Sequence, residues 1–539
     1  MSSSERPPAR CASLSSRNIS GKCLRRSYAD EETANMIRRR LLKAALLSTS
    51  LPAVAQNNSL HEEPPAEIFD VVIAGAGAAG LTAAVMAQKA SAGRILVLEK
   101  EPLIGGTSVL CEGNWSASCT SIQADLGIKD TDDAFFQDIM RAGDDKSDPD
   151  VVWALIRSGR TALEWLVSQG VTPYTVSVNS GLSVRRAHCF LPFEVINFLR
   201  RRAESLGVSI RTGSEVTKLI RAETSEKGIW GIEVKQAGKT WKIQARRAVI
   251  LATGGFGRNR EMVARYAPKL LNAPCLTAPG STGDGIRMAA EVGANLRDMD
   301  NLHAAYAFLS HPESINAMTH IFYGGAVAVN KLGRRFVDES LDYTTIASKA
   351  IEQPDAATFL VFDERVRLQQ MKSRAVDRLI FSPIDKGLSV HGLASAETLK
   401  DAAAAAGLPV EDFITEIEKY NNEISALGRE ASFGRSSLDF GIGKVIPLEV
   451  PPFYILSVVP AFLGTYCGIA ISPKAEALDA NGRPIPRLYA AGEVIGGLHG
   501  RGSIGGTHYA AAFAFGRLAG IEAAAQPRRN TNFGLKGGI

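Results

Sequence analysis

One segment constrains the fold of this 539-residue chain more than any other. The apolar run Ile68–Ala74 leads directly into Gly75-x-Gly77-x-x-Gly80, a helical pattern follows, and the next apolar run ends at Glu99. The first glycine permits the turn, the second lets a pyrophosphate approach the backbone, and the third lets the helix pack on the strand. A helix N-terminus attracts phosphate, and Glu99 can accept a hydrogen bond from a ribose hydroxyl. The segment predicts a dinucleotide site in a parallel α/β sheet, with a merely tight turn as the alternative.

Further short motifs distinguish a flavin from a nicotinamide dinucleotide. In chain order they are Glu99-Lys100, Gly105-Gly106-Thr107-Ser108, Gly113-Asn114, Ala252-Thr253-Gly254-Gly255, Leu488-Tyr489-Ala490-Ala491-Gly492-Glu493 and Gly505-Gly506. Each is weak alone, because glycine pairs commonly mark loops, but together they resemble the phosphate and flavin contacts of FAD enzymes. The last glycine pair opens a helix whose positive end can stabilise the anion formed on flavin reduction. We therefore expect FAD, bound non-covalently because residues 105–114 contain no histidine.

The density of glycine motifs predicts one discontinuous domain interrupted by another. The motifs cluster in residues 66–296 and 446–525, and they thin out over residues 297–445, where strand and helix patterns alternate. The sequence thus predicts a Rossmann-like α/β FAD-binding domain in two segments with an inserted α+β domain. The clearest helix pattern of the insertion covers residues 396–425, and an alanine-rich helix is predicted over Ala510–Ala525.

With these motifs the chain resembles the fumarate reductase/succinate dehydrogenase flavoprotein superfamily over about residues 68–525. Similar members include soluble flavocytochrome c-type fumarate reductases, urocanate reductases and 3-oxosteroid dehydrogenases. Further shared motifs are Arg186-Ala187-His188, Thr282-Gly283-Asp284-Gly285, Asn330–Glu339, Tyr420-Asn421 and Phe433-Gly434-Arg435. The resemblance implies that the inserted domain caps the isoalloxazine. It also implies that flavin N5 exchanges a hydride with a carbon β to a carbonyl while an acid/base handles the α proton.

The residues predicted to bind FAD are Gly75, Gly77, Ala79, Gly80, Glu99, Lys100, Gly106, Thr107, Ser108, Gly113, Asn114, Val216, Ala252, Thr253, Gly254, Asp284, Gly492, Glu493, Ser503 and Ile504. No metal-binding or covalent haem motif is present, because no cysteine belongs to a C-x-x-C pair. A bridge between Cys111 and Cys119 is permitted but not required.

The chain departs from the family at the residues that handle protons and substrate. In fumarate reductases of this type, an arginine four residues after the equivalent of Glu339 donates the proton, and here that position is Tyr343. The residues that relay protons to it fall on Thr319 and Phe322, and the substrate-binding arginine falls on Ser503. A tyrosine at this place is similar to the steroid dehydrogenase branch, although that branch's Y-P-G-P-G loop is absent.

Three residues are candidates for the chemistry of the substrate. Tyr343 is the candidate acid/base, although its ordinary pKa of about 10 requires help from a neighbouring cation or the flavin. His499 would hold a substrate carbonyl, and Arg501 would clamp an anion. Their plainer interpretations are a tyrosine lining the cap, a loop histidine bonded to backbone and an ordinary surface arginine. A dicarboxylate needs fixed cations, so fumarate is disfavoured unless Arg501 or another cation substitutes.

These observations predict an FAD-dependent oxidoreductase acting on a carbon–carbon bond conjugated to a carbonyl or carboxylate. The substrate would be a small unsaturated carbonyl or carboxylate compound, and a separate carrier would exchange the electrons. One alternative is a 3-oxosteroid-type dehydrogenase acting on a neutral ketone. Another is a flavin-binding or electron-relay protein whose catalytic site has degenerated, since the family's proton relay is missing.

The basic net charge of +5 belongs to the beginning of the chain. Residues 1–55 contain ten Lys and Arg against four Asp and Glu, so the remainder is close to neutral and gives no reason to expect nucleic-acid binding. Arg38-Arg39-Arg40-Leu41-Leu42-Lys43, a short apolar stretch and Ala53-Val54-Ala55 resemble a bacterial twin-arginine signal, with Met36 as an alternative start. We expect export of a folded protein to the periplasm, a basic tail at residues 526–539, and no stable membrane insertion.

Overall fold

The computed structural model describes residues 67–222, 228–311, 317–438 and 443–529. The predicted leader, including its twin-arginine motif, lies outside the described residues, as does the predicted tail after Arg529. Within the described residues, no helix combines the length and apolarity needed to cross a bilayer. The five cysteines described, including Cys111 and Cys119, are free thiols.

The strands of the described chain are β1 (Glu67–Ala74), β2 (Ile95–Leu98), β3 (Asn114–Ser116), β4 (Thr175–Ser177), β5 (Ala187–Cys189), β6 (Ser209–Arg211), β7 (Glu215–Arg221), β8 (Ile229–Gln236), β9 (Lys239–Leu251), β10 (Leu296–Arg297), β11 (Leu302–Phe308), β12 (Val327–Asn330), β13 (Thr358–Asp363), β14 (Leu393–Ala396), β15 (Phe453–Thr465), β16 (Gly468–Ala470), β17 (Glu476–Leu478), β18 (Pro484–Ala490) and β19 (Ile495–Gly496). The α-helices are α1 (Ala78–Lys89), α2 (Ser121–Asp125), α3 (Asp132–Ala142), α4 (Pro149–Ser168), α5 (Pro192–Ser205), α6 (Arg260–Tyr266), α7 (Asp284–Glu291), α8 (Tyr343–Ile351), α9 (Glu364–Ser373), α10 (Ala375–Phe381), α11 (Leu399–Ala405), α12 (Val410–Leu427) and α13 (Thr507–Ala525).

The largest sheet has the strand order β17-β18-β9-β1-β2-β6, and its strands from β18 to β6 run parallel. Val72 at its centre pairs with Leu96 of β2 on one side and with Val249 of β9 on the other. All of β2 is buried, as expected of a parallel strand covered on both faces. The strands β7 and β8 continue the sheet from β9 as an antiparallel hairpin. The predicted α/β class is therefore confirmed.

Helices α1 and α13 pack against each other at unusually close range. A Cβ atom at Gly516 would lie 2.5 Å from the backbone oxygen of Ala79, and one at Gly520 would lie 2.3 Å from that of Ala83. Glycine is required at both positions, because neither backbone oxygen can move out of the way. The two contacts advance in the same direction along both helices, so the helices run parallel. At 1.5 Å per residue, α13 begins roughly 12 Å before α1, and both present an N-terminal end toward the carboxyl edge of the sheet.

A second, antiparallel sheet lies in the chain segment that was predicted as the inserted domain. Its order is β11-β15-β13-β12, with β14 also paired to β15. The long strand β15 comes from beyond residue 445, which is the predicted end of the insertion. The sheet is thus completed by the chain after it has left the insertion and before it returns to the large sheet.

Buried charge networks account for several motifs of the sequence. In the segment Asn330–Glu339, the guanidinium of Arg335 lies 2.8 Å from both Glu339 and Glu430, and Arg435 lies 3.2 Å from Glu339. These side chains are at most 1% exposed, so removing one partner would leave a buried charge uncompensated, at a cost of about 3–5 kcal/mol. The network fixes the loop that leads into α8.

The structure differs from the predicted elements in two places. The helix pattern over residues 396–425 forms α11 and α12, because Gly407 has a positive φ of 72° and Pro409 begins the next helix as its N-cap. The sequence also shows two separate β patterns, at residues 240–244 and 248–251, and in the structure both belong to the single strand β9. A register shift opposite β1, between Phe69 and Val71, accommodates the irregularity that separates the two patterns.

Candidate active site

A cavity lies at the carboxyl ends of β1, β2, β9 and β18, where the chain turns from strand to loop. The predicted FAD-binding residues that line it are Gly75, Gly77, Ala79, Glu99, Lys100, Gly106, Thr107, Ser108, Val216, Ala252, Thr253, Gly254, Asp284, Gly492 and Glu493. This first cavity is called the cofactor cavity below. In parallel sheets the crevice at the carboxyl ends of the strands is the usual ligand site.

The glycines of the first turn have distinct roles. Gly75 has a φ of 105°, and a Cβ atom there would lie 2.1 Å from the backbone oxygen of Ala252. A Cβ atom at Gly80 would lie 1.9 Å from the oxygen of Gly75, so Gly80 serves the packing of helix on strand and does not line the cavity. At Gly77 the nearest atom to an added Cβ would be Ser108 Oγ at 3.6 Å, an ordinary van der Waals distance, so the backbone is not crowded there, and Gly77 lines the cavity. A ligand can therefore approach the chain at Gly77.

The N-terminus of α1 is suited to an anion. Gly77 caps the helix without a side-chain hydrogen bond, and the first turn contains no acidic side chain. The backbone N–H of Ala78 donates to Ser108 Oγ over 3.2 Å, which brings a polar side chain from the second glycine loop to the same place. Partial positive charge with no competing carboxylate fits the pyrophosphate of a dinucleotide.

The end of β2 carries a fixed carboxylate and a paired lysine. Glu99 accepts hydrogen bonds from the backbone N–H of Ala76 at 2.9 Å and of Glu101 at 3.0 Å. The ammonium of Lys100 lies 2.6 Å from Asp284, which connects this edge to the start of α7. A carboxylate held by two N–H donors is fixed in orientation and can accept further hydrogen bonds from a ribose.

The N-terminus of α13 is a second anion-stabilising end. Its N-cap is Gly506, with a φ of 83°, and neither a side-chain cap nor an acidic residue in the first turn opposes the helix dipole. Gly506 packs tightly against Ser116, because a Cβ atom added at Gly506 would lie 2.7 Å from the hydroxyl oxygen of Ser116. Two helix N-termini offset by about 12 Å along the helix axes, with a glycine turn before each, fit the phosphate and flavin ends of FAD.

Glu493 lies between the cofactor cavity and a second cavity, and it lines both. Its carboxyl accepts a hydrogen bond from the backbone N–H of Thr465 at 2.9 Å. Two glycines lie against this carboxyl. A Cβ atom added at Gly255 would lie 2.5 Å from Glu493 Oε1, and one added at Gly464 would lie 3.0 Å from the same oxygen. Burial raises the pKa of Glu493 to about 7, so this carboxyl is protonated in a large fraction of molecules at neutral pH.

The second cavity adjoins the cofactor cavity, sharing Thr107, Ser108, Glu493 and Ala512, and is called the substrate cavity below. It also contains three predicted FAD-binding residues, Gly113, Asn114 and Ile504. Its remaining walls are mainly aromatic and apolar, with a few ionisable groups. These further lining residues are Leu110, Cys111, Glu112, Asn179, Ser180, Leu276, Met318, His320, Tyr323, Tyr343, Arg374, Leu463, Tyr466, Gly505, Gly506, His508 and Tyr509.

Tyr343, the predicted acid/base, lines the substrate cavity at the first position of α8. Asp342 caps this helix by accepting hydrogen bonds from two backbone N–H groups, and the backbone N–H of Tyr343 donates to Ser180 Oγ at 3.3 Å. Desolvation raises the pKa of Tyr343 above its ordinary value, and the negative charges of Glu112 and Asp342 raise it further. The phenol is therefore held in its protonated form at neutral pH.

Three other predicted residues do not line either cavity. His499 is buried behind the substrate cavity, with its ring 4.6 Å from Tyr466 and 5.1 Å from His508. Arg501 is 60% exposed at the surface and pairs with Asp300 at 3.2 Å. Ser503 is buried, and its hydroxyl lies 3.0 Å from that of Thr507. Burial and the neighbouring His508 lower the pKa of His499 well below its usual range, so it is neutral.

The positions that align with the family's proton relay have other local roles. Thr319 donates a hydrogen bond to Asp377 at 2.6 Å. Phe322 is fully buried, and its ring lies 4.2 Å from that of Tyr323. Neither side chain lines the substrate cavity.

Several ionisable residues of the substrate cavity were not predicted from the sequence, among them Glu112, His320, Arg374 and His508. Arg374 lies between α9 and α10, Glu112 lies before β3, and His508 is the second residue of α13. Arg374 has no local motif, since it is one of many arginines in helical sequence. His508 lies two residues after the predicted glycine turn Gly505-Gly506, and this proximity is the one signal in the sequence that pointed to it.

Comparisons with known proteins agree with this geometry. Residues 70–508 match the family described as the FAD binding domain. Fumarate reductase (cytochrome) of Shewanella frigidimarina is 31% identical over 472 residues, which cover 86% of this chain and 79% of that protein. Urocanate reductase of Eggerthella lenta is 31% identical over 477 residues, which cover 85% and 74% respectively.

Among solved structures, 3-ketosteroid-delta4-(5alpha)-dehydrogenase from Rhodococcus jostii RHA1, in complex with 4-androstene-3,17-dione, superposes with a TM-score of 0.71 at 26% identity. The match covers 85% of this chain and 97% of that one. The predicted architecture, an FAD-binding α/β domain with an inserted capping domain, is therefore confirmed. The chain belongs to the FAD binding domain family and is an FAD-dependent oxidoreductase of the fumarate reductase type, acting on CH–CH bonds.

Proposed function

We propose that this protein reduces a carbon–carbon double bond conjugated to a carbonyl or carboxylate, with Tyr343 as the proton donor. The observation that carries the proposal is that the cavity containing Tyr343 shares Thr107, Ser108 and Glu493 with the cofactor cavity. When bound, FAD supplies the hydride chemistry of the reaction. The residues of this chain position the substrate and move the proton.

The state of Tyr343 supports reduction over the reverse reaction. A proton donor must be protonated before the reaction, and burial together with Glu112 and Asp342 raises the pKa of this phenol. Dehydrogenation would require the phenolate as base, which the same surroundings disfavour. Tyr343 thus acts on the α carbon as an acid in the proposed direction.

The surroundings of the substrate cavity argue against fumarate as the substrate. Two positions that carry arginines in fumarate reductases are Tyr343 and Ser503 here, and Arg501 is at the surface with Asp300. A dicarboxylate would therefore lose hydration without two fixed cations to replace it. We propose an unsaturated monocarboxylate or enone instead.

A second candidate is a neutral ketone, as the name of the matched 3-ketosteroid dehydrogenase suggests. The aromatic and apolar side chains of the substrate cavity favour it, among them Tyr323, Tyr466, Leu276, Met318 and Leu463. Such walls remove apolar surface from water and place few charges near a ketone.

A further candidate is a flavin-binding electron-relay protein without a substrate reaction, because Thr319 and Phe322 stand in place of the proton relay.

We further propose that FAD is bound non-covalently and that a separate carrier delivers the electrons. Residues 105–114, which include the second glycine turn, contain no histidine to which the flavin could be attached. Mass spectrometry of the denatured protein tests this, since flavin mass remaining on the chain would contradict it.

Export to the periplasm is proposed from the leader sequence alone, and detecting the folded protein in a periplasmic fraction tests it.

The test of the proposed function is reoxidation of the photoreduced holoenzyme by a panel of enoates and enones under anaerobic conditions. The panel contains fumarate, urocanate, crotonate and a 3-oxo-4-ene steroid. We expect reoxidation by at least one compound other than fumarate, with formation of the saturated product. If no compound reoxidises the flavin faster than oxygen does, the electron-relay candidate replaces the proposal.

A further inference from the structure

Two hydrogen-bond donors of the substrate cavity have no acceptor within the described part of the chain. The first is the hydroxyl of Ser180, which is 3% exposed and lines the cavity. Its oxygen accepts the phenol hydrogen of Tyr323 at 3.1 Å and the backbone N–H of Tyr343 at 3.3 Å. A hydroxyl has two lone pairs and one hydrogen, so both lone pairs of Ser180 are used and its hydrogen is left for a ligand.

The second donor is the imidazole of His508, the second residue of α13. It is half-buried in the cavity wall, and among the described residues neither of its nitrogens has a hydrogen-bond partner. Burial lowers the pKa of His508 to about 4, so the ring is neutral and carries one N–H donor. The structural histidine His188 shows the contrast, because its nitrogens lie 2.9 Å from Thr120 Oγ1 and from the backbone oxygen of Arg186.

The two donors flank the glycine turn that opens α13. The backbone N–H of Gly505, three residues before His508, donates to the backbone oxygen of Ser180 at 2.8 Å. His508 in turn lies beside Glu493, since a Cβ atom added at Gly464 would meet Glu493 Oε1 at 3.0 Å and His508 Cε1 at 3.4 Å. Because Glu493 lines both cavities, this wall leads from Ser180 to the boundary where substrate and cofactor meet.

We propose that Ser180 and His508 bind the carbonyl oxygen of the substrate and together form a neutral oxyanion site. This inference rests on the proposed function, since it identifies the groups that hold the carbonyl of that substrate. A carbonyl oxygen accepts two hydrogen bonds, which matches the two donors left without an acceptor. Both donors are uncharged, so they suit the oxygen of an enone before the reaction and stabilise the negative charge that develops on it.

The site acts between the transfer of the hydride and that of the proton. A hydride from the reduced flavin, which is thereby oxidised, adds to the β carbon, and the electron pair of the double bond moves toward the carbonyl oxygen. The oxygen carries this charge as an enolate until the phenol of Tyr343 protonates the α carbon, which restores the carbonyl and leaves a phenolate for solvent to reprotonate. The rings of Tyr466 and His499 lie 4.5 Å and 5.1 Å from that of His508 and hold it in place, so the donor needs no reorientation as the charge develops.

The test observes the carbonyl group itself and does not depend on turnover. The probe is 2-cyclohexen-1-one with an isotope-labelled carbonyl, bound to the oxidised holoenzyme, and cyclohexene is the matched probe without a carbonyl. We expect infrared difference spectra of wild type to show the bound carbonyl stretch at a lower frequency than in hexane, because hydrogen bonds to the oxygen weaken the C=O bond. Titrations followed by the flavin absorbance give the affinities of both probes.

Substitutions separate the two donors. His508→Phe keeps an aromatic ring against Tyr466 and His499 but has no donor, and Ser180→Ala removes the hydroxyl. Each is expected to raise the carbonyl frequency and to weaken the enone by about threefold to tenfold, while cyclohexene changes by less than about twofold. His508→Gln and Ser180→Thr each retain a donor and should recover part of the frequency shift.

Reoxidation of the photoreduced holoenzyme by the enone should slow more than binding weakens. For His508→Phe we expect a loss of about 10²–10³-fold in rate, because the oxygen carries most charge in the transition state. A histidine that only fills space in the wall would not produce this difference between rate and affinity.

His391→Gln is the matched control, because His391 is exposed, lines neither cavity and lies with its ring 5.8 Å from that of His311. It should leave the carbonyl frequency unchanged and the affinity and rate within about twofold of wild type.

The proposal is overturned if the bound carbonyl of wild type absorbs at the same frequency as in hexane, or if wild type does not bind the enone. It is also overturned if either His508→Phe or Ser180→Ala, with full flavin content, binds the enone as wild type does. A lowered frequency that both variants lose, without reoxidation of wild type by any compound, supports the site and removes only the proposed reaction.

Discussion

The cofactor cavity and the substrate cavity share a wall but differ in what they are made of. The cofactor cavity is built largely from backbone, through turns at Gly75, Gly77 and Gly492 and the uncapped end of α1. The substrate cavity is built from side chains such as Glu112 and Arg374, which lie far apart in the chain. A backbone-built site requires glycine at fixed spacing and so leaves a local signature, whereas a side-chain-built site leaves none.

The largest expected effect is on the backbone-built cavity. Gly75→Val places a branched side chain at a φ of 105°, with its Cβ 2.1 Å from the backbone oxygen of Ala252. We expect a loss of more than about 3 kcal/mol in the free energy of unfolding and of the bound flavin. The ratio of flavin absorbance to protein absorbance checks this.

Gly170→Ala is the control, because Gly170 also has a positive φ, of 87°, but a Cβ atom there would meet nothing within 4 Å. It should cost about 1–2 kcal/mol and leave the flavin content unchanged. If both variants retained the same amount of flavin, the close contact at Gly75 would not be the reason that this turn requires glycine to bind flavin.

The next largest effect is expected in the substrate cavity, at Tyr343. Tyr343→Phe removes the proposed proton donor and keeps the ring, so we expect reoxidation by the best enoate to slow by about 10²–10⁴-fold with full flavin content. Because the pKa of Tyr343 is raised, wild type should show no loss of its proton donor between pH 6 and 9. Stopped-flow reoxidation of both proteins at several pH values is the measurement. An unchanged rate in the variant would place the donor elsewhere.

Glu493 lines both cavities, and its protonation should affect the stability of the fold. Its pKa rises from 4.5 to about 7 on folding, so the native state holds a proton that the unfolded chain has already lost. Stability from this proton is full below about pH 4.5, declines as the pH rises to about 7, and is absent above it. The decline in wild type should exceed that of Glu493→Gln by roughly 2–4 kcal/mol. Denaturant unfolding at pH 4.5, 6 and 8 measures the difference, and parallel profiles would contradict it.

The smallest effect is expected at Arg501, which the sequence suggested as an anion clamp. Its guanidinium is 60% exposed and pairs with Asp300, and such surface pairs contribute about 0–1 kcal/mol. Arg501→Gln should therefore change substrate affinity and turnover by less than about threefold. A loss of tenfold or more in kcat/KM for an acidic substrate would restore the sequence-based assignment.

The sequence predicts those parts of the structure that are determined by residues close together in the chain. The parallel sheet, the turn at Gly75 and the lining of the cofactor cavity follow from apolar runs and glycine spacing, which act within a few residues. The position of Arg374 could not be predicted, since it depends on how α9 and α10 meet a loop more than two hundred residues earlier in the chain. The sequence predicts that His499 holds a substrate carbonyl, but the fold buries this histidine beside His508, and it is His508 that lines the cavity.

Strand β15 joins the two cavities through covalent structure as well as through space. Its centre pairs with β13 of the inserted layer, and its final residue, Thr465, donates the hydrogen bond that orients Glu493 in the floor of the cofactor cavity. The inserted layer is therefore connected to Thr465, which contacts Glu493, by one continuous β-strand. A displacement of that layer along β15 would therefore change the hydrogen bond between Thr465 and Glu493, and with it the surroundings of this carboxyl.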